Sequence, residues 1–587
     1  MTRDEFNVLN RLYNISIGRQ ETLSDIGLNN ALRKGGTIQR LIEQGYVDAR
    51  FEHITESGKL ALEPYRVNNA VILAAGAATR FIPLSLEQPK GLFEVRGQAL
   101  IDRQIEQLKE AGIDDITIVL GYKKEMFFYL KDKYNVKFKF NSTYNIKSNI
   151  ESIYLAREEL GNTYVCSCDN YFIDNPFNQF EYQSFYAGMR VDKPVNELYA
   201  NINDDNRITK LMERKKDGYI LLGHSFWKKE FCDAFIEISS REREAGTYDH
   251  TFWEWLVMDY IDALPEFYFK EYTIDSIFEF DYFEELRKFD YEYIQNTNSK
   301  IMSNIKSVFN CDEADIIDFR NVSEGMTNTS FIFKYKDVDY IYRHPGEGTE
   351  NIISRKNECS SLKLAKEWEI DPTYIYMDID EGWKISRYIT SFREPEYDNF
   401  DDSKRVLRVL RRLHKLPIKV DYGLRPWEDA LEMESMLIKK APDCFKPYIC
   451  LKEKIKKLYE MTLNDGIEKC FCHGDTYKPN WMITPEDEVI LIDWEYSGYS
   501  DPGIDVGYYI VDAMYDFEDA KKFIKEYLAD EYNDDNEFHF MAYSAIIAYY
   551  WFVWALYRES CGAVMGEALY NWYQMAIKYA DYLLERI

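Results

Sequence analysis

The sequence predicts a multidomain chain: a small helical head, then two larger units of α/β and α+β type. Three observations carry that expectation. The 587 residues exceed what one hydrophobic core serves, so roughly three to four domains are expected. From residue 67 to about 290, apolar runs alternate with helix-period segments, the pattern of a mainly parallel sheet with helices on both faces. After the polar break Asn296, Thr297, Asn298, Ser299, Lys300, a second strand pattern begins and leads to the loop HGDTYKPN.

Composition narrows the function classes. An apolar content of 46% is ordinary for a globular chain. No apolar run approaches the ~20 residues that cross a bilayer. The start, MTRDEFNVLNRLYN, lacks the apolar centre of a secretion signal, so a cytoplasmic protein without membrane insertion is expected. Ten cysteines form no C-x-x-C pair; Cys166/Cys168 and Cys470/Cys472 each share a strand face and are expected as reduced core residues. A net charge of −29 argues against a large nucleic-acid surface. The 47 tyrosines and 35 phenylalanines supply π faces of the kind that hold quaternary ammonium groups.

Residues 1–66 place apolar side chains at helical spacing over 4–13 and 31–44. A short hairpin is expected over 47–54 and another helix from Thr55. This order resembles a winged helix-turn-helix module, and ITESGKLALEPY is similar to the join between wing and last helix in bacterial regulators. Nine Lys and Arg balance nine Asp and Glu there, which is no basic footprint. A docking or dimerising module therefore competes with a DNA reader.

Over 67–292, the buried run Ala70–Leu73 is followed by Ala74, Ala75, Gly76, Ala77, Ala78, Thr79, Arg80 and later by Pro89-Lys90-Gly91. Small residues let backbone N–H groups approach a triphosphate closely. Arg80 and Lys90 add cations for the charge that builds on a departing pyrophosphate. The alternative is a plain strand-to-helix turn with solvated cations. A helix over 99–111, a strand over 115–120, the stretch SNIESIYLA and a strand over 164–168 follow. Asp169 ends that strand, where open sheets place ligands. Glu279 and Asp281 stand two apart on an expected strand, hence on one face. The string LAAGAATR with PKG resembles the nucleotidyltransferase superfamily that joins nucleoside triphosphates to sugar phosphates or phosphocholine. The family's usual second loop glycine is Ala78 here. The resemblance implies a Rossmann-like fold, nucleotide contacts from Asn149 and Ser152, and magnesium on Asp169, Glu279 and Asp281. The sequence looks closer to the cytidylyl than the sugar branch. Tyr171, Phe172, Trp227, Trp253 and Trp255 could face a trimethylammonium group, or simply fill the core.

Over 300–587, Asp475 follows His473 by two residues, Asn480 comes five later, and Asp493 ends the run VILI. Phosphoryl transfer needs a carboxylate at the acceptor hydroxyl and oxygen ligands for magnesium, which this spacing supplies. Upstream, Gly325, Thr327 and Asn328 form a loop able to cover phosphates, Arg343 falls on a strand, and Glu358 falls on a helix. A cation over the phosphates held by a helix carboxylate is what such a lobe requires. Residues 384–388 make a hinge strand without diagnostic side chains. The strings GMTNTSF, YRHPGEGTE, HGDTYKPN and IDWEYSGYSDPGIDVG resemble the bacterial choline kinases, within the wider choline/ethanolamine and aminoglycoside kinase group. The resemblance implies a two-lobed protein-kinase-like fold, with lobes of about 300–388 and 389–587. It also implies Trp494, Glu495, Trp551 and Trp554 as candidates for choline contact; the last two lie on one face of YYWFVWALY and could equally be core.

A kinase that makes phosphocholine, fused to a transferase that consumes it, implies two steps to CDP-choline, with ATP, CTP and magnesium. Such a product suits phosphocholine decoration of a bacterial surface glycan or lipid. Rivals are the same steps on ethanolamine or another amino-alcohol, a kinase fused to a sugar nucleotidyltransferase, and a DNA-binding regulator with enzyme-derived sensors. A homo-oligomer through the head is a further expectation.

Overall fold

Strand Asn69–Ala74 is the axis of the first unit. It runs parallel to Ile116–Leu120 on one side and to Thr163–Ser167 on the other, and Ile116–Leu120 runs parallel to Lys137–Phe140. All five residues of Ile116–Leu120 are buried, as a strand covered on both faces requires. Beyond Thr163–Ser167 the sheet turns antiparallel through Gly218–Trp227 and extends to nine strands. The parallel half is the Rossmann-like core that the family resemblance implies; the antiparallel half departs from the mainly parallel sheet that strand–helix alternation predicts. The computed structural model describes residues 1–18, 36–50, 53–195, 197–213, 217–247, 251–322, 329–344, 354–440, 445–562 and 565–586. They form two units, Met1–Ala314 and Asp315–Ile587.

The head shares the first unit. Helix Arg3–Ser16 opens on a capping box between Thr2 and Glu5, which satisfies N–H groups the helix cannot. Helices Thr37–Glu43 and Glu56–Leu62 and the bridge between Val47 and Ile54 complete its described part; Thr37–Glu43 falls within the expected helix over 31–44, whose first five residues lie in the undescribed stretch 19–35. Phe6, Leu9, Leu41, Val47 and Leu62 close their core with Phe180, and Tyr65 stacks on Tyr182 at 5.4 Å. The expectation of a separate domain ending at residue 66 is thus corrected, because the head's core borrows a phenylalanine from the sheet domain.

The second boundary also moves. Helix Lys300–Phe309 was expected to open the kinase domain, but it belongs to the first unit. Ile301 N donates to Glu87 Oε1 at 3.0 Å, and Ile301, Met302 and Ile305 are buried.

The second unit begins with an antiparallel five-stranded sheet in the order Ile317–Val322, Thr329–Tyr335, Val338–His344, Lys384–Arg387, Tyr374–Met377. Helix Arg355–Glu367 packs beside it. A helical lobe follows, centred on helix Asp534–Ser560, which is buried from His539 to Ala555. By length and composition that helix could cross a membrane, yet 89% of its apolar window lies inside the fold. Its apolar run is interrupted by His539 and Ser544, both buried in the fold.

Candidate active sites

In the first unit the sheet order reverses around strand Asn69–Ala74, so a crevice opens beyond its carboxyl end and that of Thr163–Ser167. The small-residue loop leaves from there. Ala75, Gly76 and Ala78 line a cleft of about 540 Å3 with Arg80, Lys90, Asn149, Ser152 and Asp169. Ala74 is instead the buried last residue of the strand, and Ala77 is absent from the cleft lining. Ala78 has φ 48°, a left-handed conformation that explains why a glycine suits the position. The loop is braced from behind: Tyr122 N donates to Ala75 O at 3.0 Å, and a Cβ on Gly121 would come within 2.6 Å of that oxygen.

Lys90 is buried and its Nζ donates to Asp169 Oδ2 at 2.8 Å. Burial works against the charge on Asp169, but the neighbouring ammonium outweighs it and holds the carboxyl below its ordinary range. Strand Ile277–Glu279 pairs with Asn170–Phe172 and sets Glu279 opposite Asn170, beside Asp169. There Glu279 accepts from Gly223 N at 3.1 Å. Burial, then the charge of Asp169, push the Glu279 carboxyl up. Asp281 corrects the expected strand geometry: it lies past the strand end and meets Arg80 Nη1 at 3.5 Å. These hard oxygen donors suit magnesium. Their oxygens do not all gather within 4.8 Å of one another, a closeness reached among the described carboxylates by Glu358, Asp493 and Glu495.

Asn149 and Ser152 fall on helix Asn149–Leu155. Asn149 Oδ1 accepts from Trp253 N at 2.8 Å, and Ser152 Oγ accepts from Asn141 at 3.0 Å. A neighbouring cleft of about 610 Å3 is lined by Tyr186, Glu197, Phe252, Trp253, Glu254 and Trp255, together with Asp169, Glu279 and Asp281. Tyr186 stacks on Trp253 at 5.2 Å and donates to Glu254 Oε1 at 3.0 Å. Burial pushes Glu254 up to about 7; burial and then Asp281 push Glu197 up to about 8. The sequence singled out Trp253 and Trp255 but missed Tyr186, Glu197 and Glu254, for which no local motif signals. The other three aromatics sit elsewhere: Trp227 and Phe172 are core, and Tyr171 packs under Arg103.

In the second unit, strand Cys470–Cys472 delivers the chain to the candidate catalytic loop. Asp505 accepts from His473 N at 2.8 Å and from Gly474 N at 2.7 Å, fixing the turn. Gly474 has φ 85°, and a Cβ there would lie 2.5 Å from Tyr496 O. Asp475 follows. Asn480 Nδ2 donates to Asp475 Oδ2 at 3.0 Å and to its carbonyl at 2.9 Å, which commits the amide nitrogen and leaves Oδ1 as the group able to take a cation. Asp493 has φ 68°, an uncommon backbone for a non-glycine residue. Burial, then the charge of Asp493, raise Asp475 to about 8, against hydrogen bonds from Asn480 and Tyr508. Asn480 and Asp493 thus fit a hard divalent ion, with Asp475 beside them.

Arg343 Nη2 meets Glu358 Oε1 at 2.6 Å, the pairing that the sequence predicts. Lys384, on the strand read as lacking diagnostic residues, joins it: Nζ lies 3.2 Å from Glu358 Oε1 and 3.1 Å from Asp493 Oδ1. Gly325, Thr327 and Asn328 lie outside the described residues. Two expected choline contacts are corrected. Trp494 is fully buried, stacked on Phe471 at 6.0 Å with Nε1 donating to Leu491 O, so it props the catalytic loop from the core. Glu495 turns to Arg343, 3.5 Å away, and clusters with Glu358 and Asp493. Trp551 does sit near Asp475: it stacks on Tyr508 at 5.0 Å and meets Tyr496 edge-on at 5.6 Å. Trp554 packs edge-on against Trp551 at 5.2 Å, with Arg558 over its ring at 5.7 Å. Of the two cysteine pairs, Cys166 and Cys472 are buried, whereas Cys168 and Cys470 are half-buried rather than core. Cys470 and Cys472 do gather with His414, but both nitrogens of that ring already face Tyr527 and Asp505.

The fold and these two sites define a nucleotidyltransferase and a protein-kinase-like phosphotransferase on one chain. Residues 70–186 match the MobA-like NTP transferase domain, and residues 319–587 match choline/ethanolamine kinase. The choline-phosphate cytidylyltransferase of Streptococcus pneumoniae is 38% identical over 39% of this chain and 99% of its own length. The Haemophilus influenzae enzyme of the same name is 30% identical over 36% of this chain and 92% of its own. The solved structure of choline kinase LicA from Streptococcus pneumoniae is 24% identical, covering 48% of this chain and 98% of that one, with a TM-score of 0.43. The chain belongs to the choline-phosphate cytidylyltransferase family and carries, fused to it, a choline/ethanolamine kinase domain.

Proposed function

We propose that this chain makes CDP-choline in two successive steps, first phosphorylating choline with ATP and then joining phosphocholine to CTP. The observation that carries the reading is the presence, on one chain, of a site for making a small phosphomonoester and a site for activating one.

In the kinase unit, Asp475 orients the choline hydroxyl and takes its proton as the oxygen attacks the γ-phosphorus and ADP departs. The trimethylammonium group has no N–H to donate, so π faces and carboxylates must hold it; Tyr496, Tyr508 and Trp551 provide those faces next to Asp475. A cation there also lowers the pKa of Asp475 toward what a base needs. Arg343, fixed by Glu358, faces the phosphates. Magnesium, when bound at Asn480 and Asp493, screens the charge of the triphosphate.

In the transferase unit, a phosphocholine oxygen attacks the α-phosphorus of CTP and pyrophosphate leaves. Arg80 and Lys90 take up the charge on the leaving group. Tyr186, Trp253 and Trp255, with Glu197 and Glu254, form a wall suited to the trimethylammonium end. Asp169 and Glu279 are the carboxylates for the ion, with Asp281 close by. We assign the enzyme to cytoplasmic pools of ATP and CTP and its product to phosphocholine decoration of a surface glycan or lipid. The balanced charge of the head supports docking rather than nucleic-acid binding.

Phosphorus NMR of the protein with ATP, CTP, magnesium and choline should show phosphocholine, then CDP-choline. Asp475→Asn should stop both products from choline yet still convert added phosphocholine. Lys90→Ala should let phosphocholine accumulate. If either variant abolishes both half-reactions, the two-site reading is wrong; if ethanolamine outcompetes choline, the substrate is wrong.

A further inference from the structure

Lys384 is an additional cation in a site whose phosphate-facing role Arg343 already fills. It opens strand Lys384–Arg387 and stands directly opposite Arg343 in the antiparallel register. Like charges so placed destabilise a sheet. Burying a lysine, here with 12% of its side chain exposed, adds a desolvation cost. The pair persists because both cations converge on the same two oxygens. Glu358 Oε1 lies 2.6 Å from Arg343 Nη2 and 3.2 Å from Lys384 Nζ. Asp493 Oδ1 lies 3.3 Å from Arg343 Nη1 and 3.1 Å from Lys384 Nζ. With Glu495, three carboxylates face two cations.

The charge balance says what the second cation does. Against Arg343 alone, the three carboxylates, when ionised, would hold two uncompensated charges and would attract a divalent ion without any nucleotide. With Lys384 present, one remains, and the Asp493 oxygen that should ligate the metal is occupied by an ammonium. Resting on the kinase reading above, we propose that Lys384 is a positioning residue with two partners in succession. It caps Asp493 while the site holds no metal–nucleotide complex, and it moves to the phosphate oxygens of the nucleoside triphosphate once a divalent ion takes Asp493. The ion and the triphosphate are thereby made to bind together, and free metal is kept out.

The test uses the full chain with Lys384→Met, Lys384→Arg and the double variant Lys384→Met/Asp493→Asn. Mn2+ is titrated without nucleotide and its unbound fraction followed by electron paramagnetic resonance; Mn2+–ATP binding is then measured by calorimetry. Lys384→Met should gain a nucleotide-free Mn2+ site at least about tenfold tighter than the wild-type chain shows, and the double variant should lose it. The same single variant should bind Mn2+–ATP about tenfold more weakly, and Lys384→Arg should restore both values toward wild type. A merely structural lysine would lower stability without tightening metal binding. Unchanged nucleotide-free Mn2+ binding in Lys384→Met, or unchanged Mn2+–ATP affinity, overturns the proposal. Both readouts omit choline, so a failure of choline as acceptor would count against the proposed function and not against this inference.

Discussion

Asp475, the base proposed for the kinase unit, takes its acidity from its surroundings. Its carboxyl is raised from 3.8 to about 8, first by burial and then by the charge of Asp493. A raised carboxyl favours folding only while protonated, so this stabilisation is complete below the unfolded value of 3.8 and is lost as pH rises through about 8. In metal-free protein, Asp475→Asn should therefore flatten the fall in melting temperature of the kinase unit between those limits, as read by calorimetry. An unchanged slope would place the raised pKa elsewhere. Of this candidate site, the sequence pointed to Asp475, Asn480, Asp493, Arg343 and Glu358, which the fold brings into contact. Lys384 was illegible: its role comes from a strand pairing with Arg343, and cross-strand register leaves no local trace.

Helix Asp534–Ser560 is held by an ion cluster near its start. His539 Nδ1 meets Asp465 at 2.5 Å and Nε2 meets Asp501 at 2.9 Å. Burial opposes the charge on the imidazole, but the two carboxylates prevail and raise its pKa from 6.5 to about 9. This clamp is fully present below pH 6.5 and is lost as pH rises through about 9. His539→Gln should cost on the order of 3 kcal/mol near pH 6 and far less above pH 9.5, measured by urea unfolding at both. Equal losses would show that the charge is not what matters. Elements with strong periodicity or motifs, such as Asn69–Ala74 and the catalytic loop, were readable in advance. Tertiary placement was not: Trp494 and Glu495 adjoin Asp493 in sequence, yet one turns into the core and the other toward Arg343. Asp281 likewise keeps its distance from the Glu279 strand geometry because the strand stops at Glu279.

Each unit carries its own hydrophobic core, so calorimetry of the whole chain should resolve two unfolding transitions. CTP with magnesium should raise one melting temperature and ATP with magnesium the other, since a ligand stabilises only the unit whose native state binds it. One transition shifted by both nucleotides would contradict the assignment of separate sites. The fusion itself was legible from the sequence because both motif sets are recognisable, even with Ala78 in place of a loop glycine; the boundaries were not, since the head and helix Lys300–Phe309 join the first unit through side chains distant in sequence, Phe180 and Glu87. The central place of Asp534–Ser560 also bears on the order of events at the ribosome. The transferase residues emerge hundreds of positions before the segment on which the kinase lobe is built, and Met575, Tyr579 and Leu583 of the following helix complete that same core. During synthesis the transferase can therefore acquire its native form and bind CTP while the kinase is still unfinished, so the second reaction of the pair becomes available first.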